Sequence, residues 1–251
     1  MPGVEDRVAL VTGAGRGIGR AAAQLLAARG ARVMGTARSE SELQALGLDF
    51  VEADLGTLAG CTRAVEETRD RLGPIEILVC NHGIGSAHER VIWEQDPGVW
   101  EETMRINLDG PYHLSRLVLP SMVQGRYGRL VYTSSTAGQV AEYAGSAYTA
   151  SKHGLLGLMR AVAQDAGPFG VTSNAVLPGW VRTEMAERSA RAEAEVGGIT
   201  VAEVWAKREA MYPPGRVATP LEVAEAIGFL ASEESSGISG EAVTVALGGI
   251  T

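Results

Sequence analysis

The chain has 251 residues, of which 45% are apolar and 21% charged, and its formal net charge is −8. That length favours one large domain that needs no disulfide or metal staples, and the composition excludes a disordered chain. The acidic balance opposes nucleic acid or an anionic membrane as the main partner, because phosphate binding wants a basic surface. In chain order, residues 8–12 read as a strand, 20–28 as a helix and 32–36 as a second strand. A third strand is expected at 49–52, an amphipathic helix at 58–72 ended by Gly73-Pro74, and a fourth strand at 75–79. A long helix is expected over 99–124, kinked or ended locally at Pro111 and Pro120. A strand at 130–133, a helix at 148–166 and a strand at 171–177 follow. A late helix at 221–231 and a last strand at 242–245 complete the series. This alternation implies an α/β fold: a doubly wound Rossmann-type parallel sheet of about seven strands, helices on both faces, in a single domain over 1–251. Residues 185–214 are charged and helix-prone but outside the rhythm, so they read as a substrate-loop or lid insertion.

No apolar run reaches the length of about 18 residues that a membrane helix needs. Residues 1–6 are short and acidic and lack the basic start and apolar stretch of a signal peptide. Cys61 and Cys80 cannot make a disulfide framework, and His88, His113 and His153 have no metal spacing. A reduced, cytoplasmic protein without a metal site is expected. Two counts stand out. Glycine occurs 32 times, nearly double the usual share of about 7%. Lysine occurs only twice, at Lys152 and Lys207.

The segment Thr12-Gly13-Ala14-Gly15-Arg16-Gly17-Ile18-Gly19 joins the first strand to the first helix. Glycines there let the backbone approach a diphosphate, and the helix N-terminus offers free N–H donors. The spacing fits T-G-x-x-x-G-x-G rather than G-x-G-x-x-G, because Ile18 stands where the latter wants glycine. It is not a P-loop, since no Gly-Lys-Ser/Thr follows.

The sharpest feature is Tyr148-Thr-Ala-Ser-Lys152. Tyr and Lys at i and i+4 share one helix face. An ammonium beside a phenol favours the phenolate, which suits a general acid/base. Ser135 lies thirteen residues upstream of Tyr148, at the end of the fifth strand. A hydroxyl there can hold a carbonyl or alcohol oxygen.

With these residues the chain resembles the short-chain dehydrogenase/reductase family, in its compact single-domain branch. The resemblance spans essentially the whole chain. It is carried by the glycine loop, Asp54-Leu55, Asn81-His82-Gly83, Asn107, Ser135, Tyr148, Lys152 and Pro178-Gly179, in order and on matching elements. It implies Tyr148 as general acid/base, Ser135 as the group that orients the reacting oxygen, and Lys152 as the residue that binds the nicotinamide ribose and lowers the Tyr148 pKa. Asn107 is implied to hold a water of a proton relay. Gly13, Arg16, Gly17, Ile18 and Gly19 should surround the phosphates. Asp54 and Leu55 should meet adenine, and Asn81 with Gly83 should meet the adenosine side. Val181 and Thr183 should hold the carboxamide. Homo-oligomers, tetramer or dimer, are common among such relatives.

NAD-preferring relatives usually place Asp where Ala37 stands, but here Arg38 follows instead. Arg16 and Arg38 together would clasp a 2′-phosphate. The expected cofactor is therefore NADP(H), with NAD the alternative. Glu40 and Glu42 look too late in the chain to replace the missing acid. Departures from the family pattern are Cys80 and His82, and the absence of Asp before Gly248-Gly249.

The substrate pocket should involve Gln139, Glu142, Tyr143, Trp180 and Met185 beside Ser135, Ala137 and Tyr148. Trp205 reads equally as a lid residue or as the apolar face of a short helix. A neutral ketone or secondary alcohol fits this mixture best, so a carbonyl reductase is the first reading. Reduction of 3-ketoacyl groups on a carrier protein or polyketide is the second. Arg126 and Arg129 could receive an acidic carrier, but Phe169 stands where such reductases often carry another base, and the net charge opposes the encounter. A sugar or steroid dehydrogenase is a third reading, and an inactive dinucleotide sensor a fourth.

Overall fold

The computed structural model describes residues 3–86 and 90–249. His88 lies outside the described residues. A seven-stranded parallel sheet forms the centre, in the order β3-β2-β1-β4-β5-β6-β7. Its strands are β1 (Val8–Thr12), β2 (Arg32–Ala37), β3 (Asp49–Glu52), β4 (Ile77–Cys80), β5 (Gly128–Thr133), β6 (Val171–Pro178) and β7 (Ala242–Val245). The central strands β1, β4, β5 and β6 are buried along their whole length. Helices cover both faces, so these strands read as continuous apolar runs rather than alternating ones.

Side chains still alternate by face. Leu10, Leu78, Leu130 and Tyr132 pack on one side with Cys61, Leu114, Met122, Leu155 and Met159. Those partners come from α3 (Leu58–Leu72), α5 (Gly110–Gly125) and α6 (Ser146–Ala166). Val11, Val79, Val131 and Val176 pack on the other side with Ala22, Leu26, Val223 and Ile227. Those belong to α1 (Gly17–Ala28) and α9 (Pro220–Leu230). The strand order reverses between β1 and β4, and the crevice at their carboxyl ends is where such sheets bind ligands.

The expected single helix over 99–124 is broken. α4 (Pro97–Met104) passes into a π-turn, Arg105–Asp109, before α5 resumes at Gly110. The helical backbone runs unbroken from the π-turn into α5, so Pro111, which has no N–H to give and crowds the carbonyl of Asn107, stands one turn after the break, and Pro120 lies inside α5. The π-turn that interrupts the run thus precedes both prolines, and such turns cluster at functional sites.

The insertion folds as two helices, α7 (Glu184–Gly197) and α8 (Val201–Ala210). Ala186, Ala190 and Ala194 line the inner face of α7 and pack with Val204, Trp205 and Tyr212 in a small third core. No helix among the described residues is long and apolar enough to cross a membrane.

Candidate active site

The glycine loop follows β1 directly. Gly13 has φ +65°, which favours glycine, and a Cβ on Gly19 would collide with the Gly13 carbonyl. Asn81, just after β4, ties the two strand ends together. Its N–H donates to Thr12 Oγ1 at 2.8 Å and its Nδ2 to the Thr12 carbonyl at 3.2 Å. Arg16 is the N-cap of α1, but its side chain makes no capping bond, and the first turn holds no acid. The first amides of α1 are thus left for an anion, in a cradle lined by small residues. That arrangement fits a dinucleotide diphosphate. Thr183 stands against this loop, since a Cβ on Gly17 would lie 3.3 Å from its methyl carbon.

Ser135 lies two residues past the end of β5, where its side chain accepts from the Ala137 N–H at 3.1 Å and caps the short 3₁₀ turn Thr136–Gly138. Tyr148 and Lys152 occupy successive turns of α6, with Nζ 5.6 Å from the phenol ring centroid. Lys152 is only 5% exposed and donates to the Thr133 carbonyl at 2.9 Å. Burial lowers its pKa to about 8.

Asn107 lies in the π-turn and is buried. Its Oδ1 accepts from the Ile84 N–H at 2.8 Å, while Nδ2 donates to the Ile84 carbonyl at 3.0 Å and to Ser151 Oγ at 3.2 Å. This two-way clamp fixes the loop after β4 over α6. A Cβ on Gly83 would stand 3.1 Å from Asn107 Oδ1 and 3.6 Å from Lys152 Nζ. Gly83, Asn107 and Lys152 therefore meet at one point.

The profile of the family described as enoyl-(acyl carrier protein) reductase matches residues 13–251. A putative ketoacyl reductase of the monensin polyketide synthase from Streptomyces virginiae is 38% identical over 251 residues, covering 96% of this chain and 95% of that protein. The 3-oxoacyl-(acyl-carrier-protein) reductase FabG of Escherichia coli K12 is 35% identical over 248 residues, covering 96% of each. The chain belongs to the short-chain dehydrogenase/reductase family. Among solved structures, a variant of actinorhodin polyketide ketoreductase with NADPH superimposes with a TM-score of 0.91 at 31% identity, covering 99% of both chains.

This short-chain dehydrogenase/reductase departs from several expectations. Trp205 packs into the small core of the insertion, on the inner face of the short helix α8. It is 6% exposed, and its Nε1 donates to Glu187 at 2.8 Å inside the insertion. Trp180 packs inward too, 3.6 Å from the Arg208 guanidinium, which in turn lies 5.2 Å from Trp205. Arg208 itself is buried and donates to the Ala186 carbonyl, Ser189 and Glu193. Tyr143 is 91% exposed and walls nothing enclosed. Gln139 is exposed. Glu142 accepts from Ser86 Oγ at 3.1 Å, which draws it to the loop after β4. Met185 reaches that loop as well, lying 3.6 Å from a Cβ placed on Gly85.

On the cofactor side, Val181 is buried and bridges to Ala218. Thr183 caps α7. Asp54 is exposed and paired with Arg105 at 3.3 Å, whereas Leu55 is buried. Ile18, in the first turn of α1, is partly buried against the core on that side of the sheet. The expected two-arginine clasp is only half available: Arg38 is exposed, but Arg16 pairs with Glu42 at 3.1 Å and Glu184 at 3.5 Å. Arg129 offers no docking surface, because it is buried and donates to the carbonyls of Ser232, Gly128 and Gly170.

His82 has a structural place that the sequence did not reveal. Its Nδ1 lies 2.8 Å from Thr12 Oγ1, and Nε2 is sealed from solvent beside Gly110. Burial, then the Lys152 charge, lowers its pKa to about 3. The ring is therefore neutral at working pH. Three bonding roles were not read from the sequence: Thr12 holding Asn81 and His82, Ile84 clamped by Asn107, and Ser151 accepting from Asn107. Thr12 gave one signal, a hydroxyl ending an apolar strand; Ile84 acts through its backbone and gave none.

Proposed function

We propose that this enzyme interconverts a ketone and a secondary alcohol with NADP(H), and that 3-ketoacyl thioesters are its substrate class. The observation that carries the chemistry is the meeting of Gly83, Asn107 and Lys152, with Tyr148 one helical turn away. The substrate class rests on the names of the ketoacyl reductases to which the chain is similar. NADP(H) is supported by the exposed Arg38 just after β2 and by the NADPH-bound relative.

When bound, the nicotinamide supplies a hydride to the carbonyl carbon. The chain's own residues manage the oxygen and its proton. Ser135 holds the oxygen, and the Tyr148 hydroxyl gives it a proton. The Lys152 ammonium offsets the charge that appears on the phenolate. Asn107 gives both Nδ2 hydrogens to Ile84 and Ser151, and Oδ1 accepts one bond from the Ile84 N–H, which leaves it a second acceptor position for a relay water. The helices over 185–214 form the substrate lobe of a single domain. A homo-oligomeric, cytoplasmic enzyme is part of the same reading, the latter supported by two buried free thiols.

The carbonyl reductase of simple ketones is the second reading, favoured by the burial of Arg129. That burial leaves Arg126, which already bonds the Pro168 carbonyl, to receive an acidic carrier. A panel of NADPH oxidation assays decides between them. Small-thiol 3-ketoacyl esters should be reduced better than simple ketones, and attachment to carrier protein should add little. Equal or better rates with simple ketones would reject the acyl class.

A further inference from the structure

The β2–β3 connection is short, and its helix α2 (Glu40–Gln44) has five residues. Arg20 donates to the Glu42 carbonyl at 3.1 Å and holds the turn against α1. The Glu42 side chain therefore folds back onto the glycine loop. A Cβ placed on Gly15 would lie 2.7 Å from Glu42 Oε2 and 3.5 Å from Ala37 Cβ. The carboxylate thus stands beside the end of β2, although its place in the chain looked too late. In doubly wound dinucleotide folds the adenosine ribose lies here, about 20 residues after the glycine loop; an acid reads its 2′-hydroxyl, or an arginine takes a 2′-phosphate. Here both kinds of group are present. Glu42 Oε1 accepts from Arg16 at 3.1 Å, while Arg38 makes no ion pair among the described residues.

We propose that Glu42 is a specificity-determining residue for the cofactor, competing with the 2′-phosphate for Arg16 and restraining the preference for NADP(H) over NAD(H). The proposal rests on the NADP(H) reading above. A 2′-phosphate carries about −1.5 to −2 charge, so the carboxylate repels it and withholds one of its two guanidinium partners. A 2′-hydroxyl is a donor that the same carboxylate accepts. NAD(H) therefore stays usable at a site that otherwise selects the phosphate.

Isothermal titration of the full chain with NADP⁺ and with NAD⁺ tests this, comparing wild type with Glu42→Gln at low salt. The ratio of the two dissociation constants should move toward NADP⁺ by about threefold or more, and the shift should shrink at high salt. Glu184→Gln is the companion variant. Glu184 pairs with the same arginine at 3.5 Å but stands on α7. Its ratio should stay within about twofold of wild type. A Glu42→Gln ratio that is unmoved or moves toward NAD⁺ overturns the proposal, as does an equal shift in Glu184→Gln. Wild-type protein that binds neither dinucleotide overturns the NADP(H) reading and the proposal together, a result distinct from an unmoved ratio.

Discussion

The two ends of the cofactor crevice are built differently. At the end proposed for the nicotinamide, Lys152 and Asn107 are buried, and main-chain groups hold them: the Thr133 carbonyl and both polar groups of Ile84. At the adenosine end, Arg16, Arg38 and Glu42 meet solvent, and Arg16 and Glu42 hold each other through side chains. Main-chain partners fix geometry within a narrow range, because the sheet and the π-turn would have to move with them. Exposed ion pairs exchange partners at small cost. The first construction suits proton transfer, where a displacement of about 1 Å can cost a hundredfold in rate. The second suits a choice between two similar ligands.

Variants at the buried end should therefore lose rate, and variants at the exposed end should shift selectivity. Lys152→Met is expected to lower kcat by about a thousandfold, within the range of lost acid–base function. It carries a second readout. The folded Lys152 pKa of about 8 lies below the ordinary 10.5. Between those values the unfolded chain holds the extra proton, so wild type gains stability as pH rises through that window. Lys152→Met should lack this gain, and urea melts at pH 8 and pH 10 should show the difference between the two proteins changing. The buried thiols are common to both and cancel. An unchanged difference would contradict the burial of a titrating lysine.

Gly83→Val places branched carbons against Asn107 Oδ1 and Lys152 Nζ. A loss of about a hundredfold in kcat/KM is expected, with folding retained by circular dichroism. Arg38→Asp acts at the other end. It should weaken NADPH by about tenfold relative to NADH, read from the two KM values; equal weakening would deny Arg38 a part in binding the phosphate.

The smallest effect concerns His82. Its folded pKa of about 3 lies below the ordinary 6.5. The unfolded chain binds the proton first as pH falls, so wild type loses stability below about pH 6.5. His82→Ala should lose less between pH 7 and 5, by on the order of 1–2 kcal/mol. Parallel acid sensitivity in both proteins would refute a neutral buried ring.

Much of this was legible from the residues. The parallel sheet announced itself through runs such as Leu130-Val131-Tyr132, apolar on both faces because helices cover both. Tyr148 and Lys152 were visible because a fixed helical spacing carries their chemistry. What stayed hidden depended on folding back. The disturbance expected at Pro111 falls in the turn before it, Arg105–Asp109, but that it takes the form of a π-turn carrying Asn107 was not readable from residues that keep helical composition. Arg129 reads as surface charge until three carbonyls are seen around it. Trp205 turned inward because Arg208 and Glu187 offered its ring and N–H partners inside the lobe. Glu42 was discounted by its position in the chain, whereas a five-residue helix returns it to the glycine loop.

The most direct test of the account is NADPH oxidation with a 3-ketoacyl thioester, measured in parallel for wild type and Tyr148→Phe, with NADPH binding followed by fluorescence. Wild type should turn over, the variant should lose about a thousandfold or more in rate, and both should bind NADPH with equal affinity. Full activity in Tyr148→Phe with unaltered NADPH affinity would contradict it.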